Sequence, residues 1–409
     1  MKLLFVIIDG LGDRPIPELN GLTPLEAANT PNMDTFAKLG MNGLIDAISP
    51  GVTPGSDTAH LALFGVDPFK YYTGRGPFEA AGVGLKVKEG DVAFRVNFAT
   101  INKEAVIVDR RAGRIRKHTG ELAELLDGIE IDGIKVIFKE GTEHRAALIL
   151  RGEGLSDKVS ANDPKKEGKK PYPFKALDND PASKKTAEVL TKFLEKAQKL
   201  LSSSEVNRER IRKNLLPANY LLIRGAGKVP KLPDFEKEFG LRSACIAGGG
   251  LYKGIGRMLN MTLIEKDGIT GGTDTDLGLK FRTAREALSN FDFVFVHVKG
   301  TDNYSHDGNA KGKKEFIEKI DKELAQFLPE NFGNNLTLMI TGDHSTPCIF
   351  KDHSADPVPI LIYSPTCRKD EVQKFGERFS YNGIIGRILG KNLMRILLNE
   401  LQLLKKFGA

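Results

Sequence analysis

Residues 291–302 read FDFVFVHV-KGTD: eight residues of which six are Phe or Val, closed by Lys299-Gly300-Thr301-Asp302. A run that is apolar at odd and even positions alike has no solvated face, so Phe291–Val298 is predicted to be a strand covered on both sides, as strands of parallel sheets are. The same pattern occurs at the start of the chain, where Leu3–Ile8 (LLFVII) runs into Asp9-Gly10, and again where Leu336–Ile340 (LTLMI) runs into Thr341-Gly342-Asp343-His344. Val358–Tyr363 is a further strand. Helical patterns separate them: Thr23–Leu39, interrupted at Thr30-Pro31-Asn32, then Lys311–Leu328, and a closing stretch Asn382–Lys406. Strands alternating with helices predict an α/β fold with a mostly parallel sheet and helices on both faces.

The middle of the chain lacks this punctuation. From Val87 to Pro217 the strand-like pieces Val92–Phe98, Val106–Val108, Ile134–Phe138 and Ala146–Leu150 are followed by a lysine-rich loop (Lys165–Lys175) and a charged helix (Ser183–Leu201). This stretch, 87–217, is expected to be a smaller α+β domain inserted into a first domain made of 1–86 and 218–409. A length of 409 residues fits two or three domains. Hydrophobic residues at 40% and charged residues at 28% exclude a disordered or fibrous chain. Cys245, Cys348 and Cys367 lie far apart and form no CxxC, which argues against a disulfide scaffold or a thiolate zinc module and fits a reducing cytoplasm. No run approaches the ~18 apolar residues of a membrane span, and Asp9 ends the apolar start too early for a leader peptide. The net charge of +7 comes from interleaved lysines and acids, an ordinary solvated surface, and no aromatic-plus-basic module marks a nucleic-acid binder.

The acids and histidines carry the chemistry. Asp9, Asp302 and the pair Asp343-His344 fall at or just past the ends of predicted parallel strands, and in an open α/β sheet those ends meet at the ligand-binding crevice. His306 lies one helical turn beyond Asp302, and His353 sits in a loop just before Val358–Tyr363. Carboxylates gathered in one crevice repel one another unless a cation joins them. Three Asp and three His without thiolate suit manganese, zinc or magnesium, and six ligands exceed one four-coordinate site, which points to a pair of ions of the kind that handles phosphoryl transfer. Ser56, in Pro54-Gly55-Ser56-Asp57 ahead of an apolar helical run, is a candidate nucleophile whose hydroxyl an adjacent metal would activate. The alternative is that Ser56 or Asp57 only caps that helix. His297, inside a predicted strand, reads as a core histidine.

Asp9-Gly10, Thr30-Pro31-Asn32, Gly55-Ser56, Thr301-Asp302 through His306, Thr341-Gly342-Asp343-His344, and His353 followed by Pro357-Val358-Pro359 resemble the alkaline phosphatase superfamily. More closely, GLGDRPIPELNGLTPLEAANTPNMD (10–34), VTPGSDTAHLALFG (52–65), YYTGRGPFEAAGVG (71–84), FDFVFVHVKGTDNYSHDGN (291–309) and DPVPILIYSP (356–365) are similar to the archaeal type of cofactor-independent (2,3-bisphosphoglycerate-independent) phosphoglycerate mutase, over essentially the whole chain. The resemblance implies an alkaline phosphatase-like fold. It implies two divalent ions, with manganese the best fit and magnesium, cobalt or zinc as alternatives, and no 2,3-bisphosphoglycerate. One ion would be held by Asp302, His306 and His353, the other by Asp9, Ser56, Asp343 and His344. Ser56 matches the serine that is transiently phosphorylated, and Lys253 a lysine near the transferring phosphate. The longer bacterial form has Asn-Ser and Gly-His where this chain has Gly55-Ser56 and Ala59-His60. Within the insert Arg95, Arg110, Arg114 and Arg145, with Arg111 and Arg116, are candidates for binding substrate carboxylate and phosphate, because guanidinium forks match those groups; Asp109 is a candidate acid/base. The activity implied is that of a cytoplasmic isomerase interconverting 3- and 2-phosphoglycerate in glycolysis and gluconeogenesis, with a small-molecule substrate, no nucleic-acid or membrane partner, and room for a homo-oligomer. The rivals are a metal-dependent phosphatase, phosphodiesterase or phosphosugar mutase of the same superfamily, and a non-catalytic metal- or phosphate-binding protein.

Overall fold

The computed structural model describes every residue except Lys405, Phe407 and Ala409. The chain divides into two compact units, residues 1–71 with 232–409, and residues 72–231.

The first unit is built on an eight-stranded sheet in the order Thr262–Leu263, Ser243–Ile246, Phe293–Val298, Lys2–Ile8, Leu336–Thr341, Val358–Tyr363, Met41–Asp46, Gly386–Leu389. Every adjacent pair is parallel except the two made by Val358–Tyr363, which runs antiparallel to both neighbours. The three unbroken apolar runs occupy adjacent central positions, Lys2–Ile8 lying between Phe293–Val298 and Leu336–Thr341. Leu3 through Ile8 have no exposed surface, which is why neither face needs a polar alternate. The register sets Ile8 beside Val298 and Ile7 beside Thr341, so the residues that follow these strands emerge side by side at one edge. Helices Pro24–Ala27 and Pro31–Leu39 flank the predicted break at Thr30; a threonine capping box starts the first and proline the second. Helix Ala310–Leu324 buries Phe316, Ile317, Ile320 and Leu324 at helical spacing. No helix among the described residues is long and apolar enough to cross a membrane.

The closing stretch departs from expectation. Of the helix predicted over Asn382–Lys406, Gly386–Leu389 is a strand pairing with Met41–Asp46, and only Leu393–Glu400 is α-helical; Lys405 lies outside the described residues. The glycines decide this. Gly386 has φ of 68°, and a Cβ on Gly383 would meet the Asn42 carbonyl oxygen at 2.1 Å, so the backbone there lies against the sheet edge rather than in a helix.

The second unit is an antiparallel sheet with helices. Val92–Ile101 is its central strand, pairing with Arg145–Arg151, Tyr220–Lys228 and, at its end, Ile107–Asp109; Ile134–Glu140 and Glu130–Ile131 extend the sheet past Arg145–Arg151. Helix Pro181–Ser203 buries Val189, Leu190, Phe193, Ala197 and Leu201 in a core shared with Val96, Phe98, Val136 and Leu148. The unit reaches beyond 87–217 at both ends. Helix Gly76–Gly82 packs so closely on the central strand that a Cβ on Gly76 would lie 2.0 Å from the Ala93 carbonyl oxygen, and Tyr220–Lys228 is hydrogen-bonded to that same strand.

Candidate active site

Asp9 follows its strand directly, and Gly10 turns the chain with φ of 63°, where a Cβ would press on Thr346 Oγ1 (2.7 Å) and Asp302 Oδ1 (2.9 Å). Thr301 donates its hydroxyl to the Asp9 carbonyl, clamping the ends of the two neighbouring strands together. Asp302 lies in the first turn of helix Gly300–His306, and the helical spacing brings His306 Nε2 to 3.4 Å from Asp302 Oδ1. From the next strand end, His344 Nε2 lies 3.2 Å from Asp343 Oδ2, 3.5 Å from Asp9 Oδ1 and 3.2 Å from Ser56 Oγ. The His353 ring stacks on that of His344 at 3.6 Å, with its Nε2 3.8 Å from Asp302 Oδ1. Ser56 is the first residue of helix Ser56–Leu63; Gly55 holds the cap position and no side chain caps that helix end.

The hydrogen bonds of the histidines fix what each presents. His306 Nδ1 lies 2.8 Å from the Lys351 carbonyl, and His353 Nδ1 lies 2.9 Å from the Pro54 carbonyl. A carbonyl only accepts, so both Nδ1 atoms carry the proton. His344 Nδ1 lies 2.9 Å from Thr346 Oγ1, which gives its own proton to Asp302 Oδ1 at 3.0 Å and therefore accepts from Nδ1–H. With Nδ1 engaged in this way, all three rings turn Nε2 toward carboxylate oxygens, the pattern by which proteins orient metal-ligating histidines. Two of those oxygens, Asp9 Oδ1 and Asp343 Oδ2, are buried without a hydrogen-bond partner. A cation placed between these oxygens and the imidazole nitrogens would satisfy all of them at once. Asp302, His344 and His353 form one group whose ligand atoms are near enough to share an ion, and Asp9, Asp343 and His344 form another. The donor set, carboxylate and imidazole without thiolate, fits a divalent ion of the manganese or zinc kind in each.

The electrostatics agree. Burial would raise the Asp9 carboxyl, but Lys299, His297 and His344 hold it well below the usual carboxylate range. Burial would lower His344, but Asp343, Asp9 and Asp302 outweigh it and raise the imidazole; a field that favours a proton on Nε2 favours a divalent cation there still more.

In the second unit, register places Arg224 opposite Arg95 and Arg145 opposite Asn97, so these four side chains share one face of the sheet. Arg95 is mostly buried, its Nε without a hydrogen bond but ion-paired with Glu79 Oε1 at 3.6 Å; burial, with Arg75, Arg224 and Arg145 nearby, brings it down to about 10. Burial, together with Arg145, Arg111 and Arg95, lowers His144 to about 4. Arg110 and Arg224 converge on Asp163 at 2.6 and 2.5 Å. Arg116 pairs with Glu143 at 2.9 Å, and exposed Arg114 lines a cleft with Ile115, Lys117, Glu205 and Glu209. Asp109 accepts the Arg111 N–H at 2.6 Å and so shapes its own turn.

The family model described as 2,3-bisphosphoglycerate-independent phosphoglycerate mutase matches residues 37–207. A Methanothermobacter thermautotrophicus protein named 2,3-bisphosphoglycerate-independent phosphoglycerate mutase 1 is 48% identical over 413 residues, covering 100% of both chains. The chain belongs to the family of 2,3-bisphosphoglycerate-independent phosphoglycerate mutases. Among solved structures, a Pyrococcus horikoshii protein superposes with a TM-score of 0.87 at 39% identity, covering 100% of this chain and 99% of that one. A cofactor-independent phosphoglycerate mutase from Thermoplasma acidophilum superposes with a TM-score of 0.73 at 38% identity over 98% of this chain and 99% of that one.

In this member of the mutase family, Asp9, Ser56, Asp302, His306, Asp343, His344 and His353 come together around His344. Lys253 does not join them: its ammonium sits on Glu265 Oε1 at 2.5 Å. Its neighbour Tyr252 faces the site instead, donating its hydroxyl to Asp9 Oδ2 at 2.5 Å while its ring stacks on His297 at 3.4 Å. His297 is the buried core histidine expected, and its Nε2 also meets Asp9 Oδ2 at 3.1 Å. His60 lies behind the site, Nδ1 on the Ser56 carbonyl at 2.7 Å and 3.6 Å from Asp343 Oδ2. Sequence reasoning missed Lys299, Tyr252 and, in the second unit, Arg75 and Arg224. For Lys299 a signal existed: it is the first residue past a strand that neighbours the strand of Asp9. Arg224 had none, because only the register shows that it faces Arg95.

Proposed function

We propose that the chain is a cytoplasmic isomerase that interconverts 3-phosphoglycerate and 2-phosphoglycerate through a phosphoserine at Ser56, independently of 2,3-bisphosphoglycerate. Two divalent ions, held by Asp302, His306 and His353 on one side and by Asp9, Ser56, Asp343 and His344 on the other, would polarise the phosphoryl oxygens and lower the pKa of the serine hydroxyl. Ser56 Oγ then forms a bond to phosphorus as the bond from phosphorus to the substrate oxygen breaks, and that oxygen leaves with a proton as the glycerate hydroxyl. Glycerate stays bound and turns. Its other hydroxyl attacks the phosphoserine, the Ser56 oxygen leaves, and the isomeric phosphoglycerate forms with no net change in atoms. Retention of glycerate calls for a cationic clamp, and Arg95, Arg145 and Arg224 are the side chains we assign to its carboxylate.

The observation that carries this reading is the convergence on one imidazole nitrogen: His344 Nε2 faces Ser56 Oγ, Asp343 Oδ2 and Asp9 Oδ1 within 3.5 Å, with both acid oxygens lacking any donor. A helix-capping serine would have turned to its own backbone instead. The test is a phosphorus NMR spectrum of the protein incubated with 3-phosphoglycerate and manganese. Growth of a 2-phosphoglycerate resonance supports the mutase; growth of inorganic phosphate alone supports a phosphatase, and neither product refutes both.

A further inference from the structure

Lys299 is the first residue past Phe293–Val298, and its side chain turns back into the site. Its ammonium has three protons to give and three acceptors within reach: Asp9 Oδ2 at 3.0 Å, Asp302 Oδ2 at 2.8 Å and the Tyr252 hydroxyl at 3.2 Å. The division of oxygens is regular. On each of these two aspartates Oδ2 is turned to Lys299, with the core histidine His297 also on Asp9 Oδ2, while Oδ1 is turned to the candidate ligand histidines: Asp9 Oδ1 toward His344, Asp302 Oδ1 toward His306 and His353. Asp9 and Asp302 belong to different ligand groups. One side chain therefore ties together a carboxylate from each half of the site, and no N–H is left over for a phosphate.

We propose that Lys299 is the positioning residue that joins the two metal half-sites, holding Oδ2 of Asp9 and of Asp302 so that each carboxylate offers a single oxygen, Oδ1, to its ion. This inference rests on the two-ion reading above. It assigns Lys299 a role opposite in consequence to simple charge balance. A lysine that only neutralised the acids would compete with incoming ions by like-charge repulsion, and its removal would tighten metal binding. A lysine that orients the acids loosens binding when removed, because freed carboxylates must be ordered by the ion itself; outer-layer partners of metal ligands typically contribute about 10–100-fold in affinity. Tyr252 shares half of the task, since its hydroxyl donates to Asp9 Oδ2.

The experiment is a calorimetric titration of manganese into chelator-stripped full-length protein, wild type against Lys299→Met and Tyr252→Phe, with circular dichroism to confirm folding. Wild type is expected to bind two ions. Lys299→Met is expected to weaken both binding steps, each by about 10–100-fold. Tyr252→Phe, which keeps the ring over His297, is expected to weaken the step that involves Asp9 clearly more than the other, because its hydroxyl donates to Asp9 alone. That selectivity is a signature general destabilisation does not produce, and it serves as the test should Lys299→Met fail to fold. Unchanged or tighter binding in Lys299→Met, or equal losses at both steps in Tyr252→Phe, overturns the assignment. A wild-type chain that takes up no manganese overturns the two-ion reading beneath it, an outcome distinct from the others.

Discussion

Replacing Ser56 by alanine removes an oxygen that lies 3.2 Å from His344 Nε2 and takes no part in capping its helix. The stability lost should be small, no more than about 1 kcal/mol for a single hydrogen bond, because the helix start depends on Gly55 and on backbone groups. The activity lost should be large. Without Oγ there is no acceptor for the phosphoryl group, and deletion of a covalent nucleophile lowers turnover by roughly 10⁴–10⁶-fold, which is about 5–8 kcal/mol of transition-state stabilisation at about 1.4 kcal/mol per decade. The two magnitudes separate the roles cleanly: a cap would cost about 1 kcal/mol of stability and little turnover. The assay pairs a thermal melt with the phosphorus NMR time course on 3-phosphoglycerate, and mass spectrometry follows the Ser56 peptide of wild type after incubation with substrate. A Ser56→Ala protein that turns over within tenfold of wild type, or a wild-type peptide that never carries phosphate, would refute the covalent scheme.

Chelator-stripped protein should be inactive and regain activity with manganese or cobalt, and full activity in demonstrably metal-free protein would remove the basis for the two-ion site. Arg95→Ala and Arg145→Ala should raise the ratio of free phosphate to 2-phosphoglycerate, since loss of a clamp lets glycerate leave before the return transfer; product ratios equal to wild type would mean that the carboxylate is held elsewhere. Arg110→Ala should act less on that ratio, because its guanidinium is already engaged by Asp163 at 2.6 Å. Burial raises the Glu377 carboxyl from 4.5 to about 7, against the donors Thr23 Oγ1 and the Asp13 N–H. The folded state thus keeps a proton that the unfolded chain releases, so this contribution to stability is complete below pH 4.5 and is lost as pH rises through about 7. Glu377→Gln should flatten the fall in melting temperature between pH 5 and 8, and a slope identical to wild type would show that Glu377 is ionised in the fold.

The metal-site candidates were legible in the sequence because each follows or precedes an uninterrupted apolar run, and a run with no polar alternate reveals both the strand and its end. Asp9, Asp302, Asp343 and His344 could be found that way, and His306 by one helical turn. The pairing of half-sites could not. His344 stands close to both groups of acids, a matter of distances between loops that no spacing encodes. Lys253 and Tyr252 are adjacent in sequence, yet successive residues of a helix point about 100° apart, and only the placement of helix Gly250–Met258 decides which of them meets Asp9. The Arg95 face likewise depends on register with Tyr220–Lys228, a strand more than a hundred residues later. At the C-terminus Gly383, Gly386 and Gly390 are spaced three and four apart, a helical period, so the strand Gly386–Leu389 had no periodic mark in the sequence and only its pairing with Met41–Asp46 shows it.

The position of Lys2–Ile8 between Phe293–Val298 and Leu336–Thr341 has a consequence for synthesis. Lys2–Ile8 gains its two neighbours only when residues 293–341 have been made, while the strands of residues 72–231 all pair within their own contiguous segment. Such long-range pairing is slow, and a fully apolar strand waiting for it is a template for association with other chains. The N-terminal strand is therefore where a chaperone would be expected to engage the nascent protein, and truncation anywhere before Leu336 should leave an insoluble product rather than a smaller soluble one.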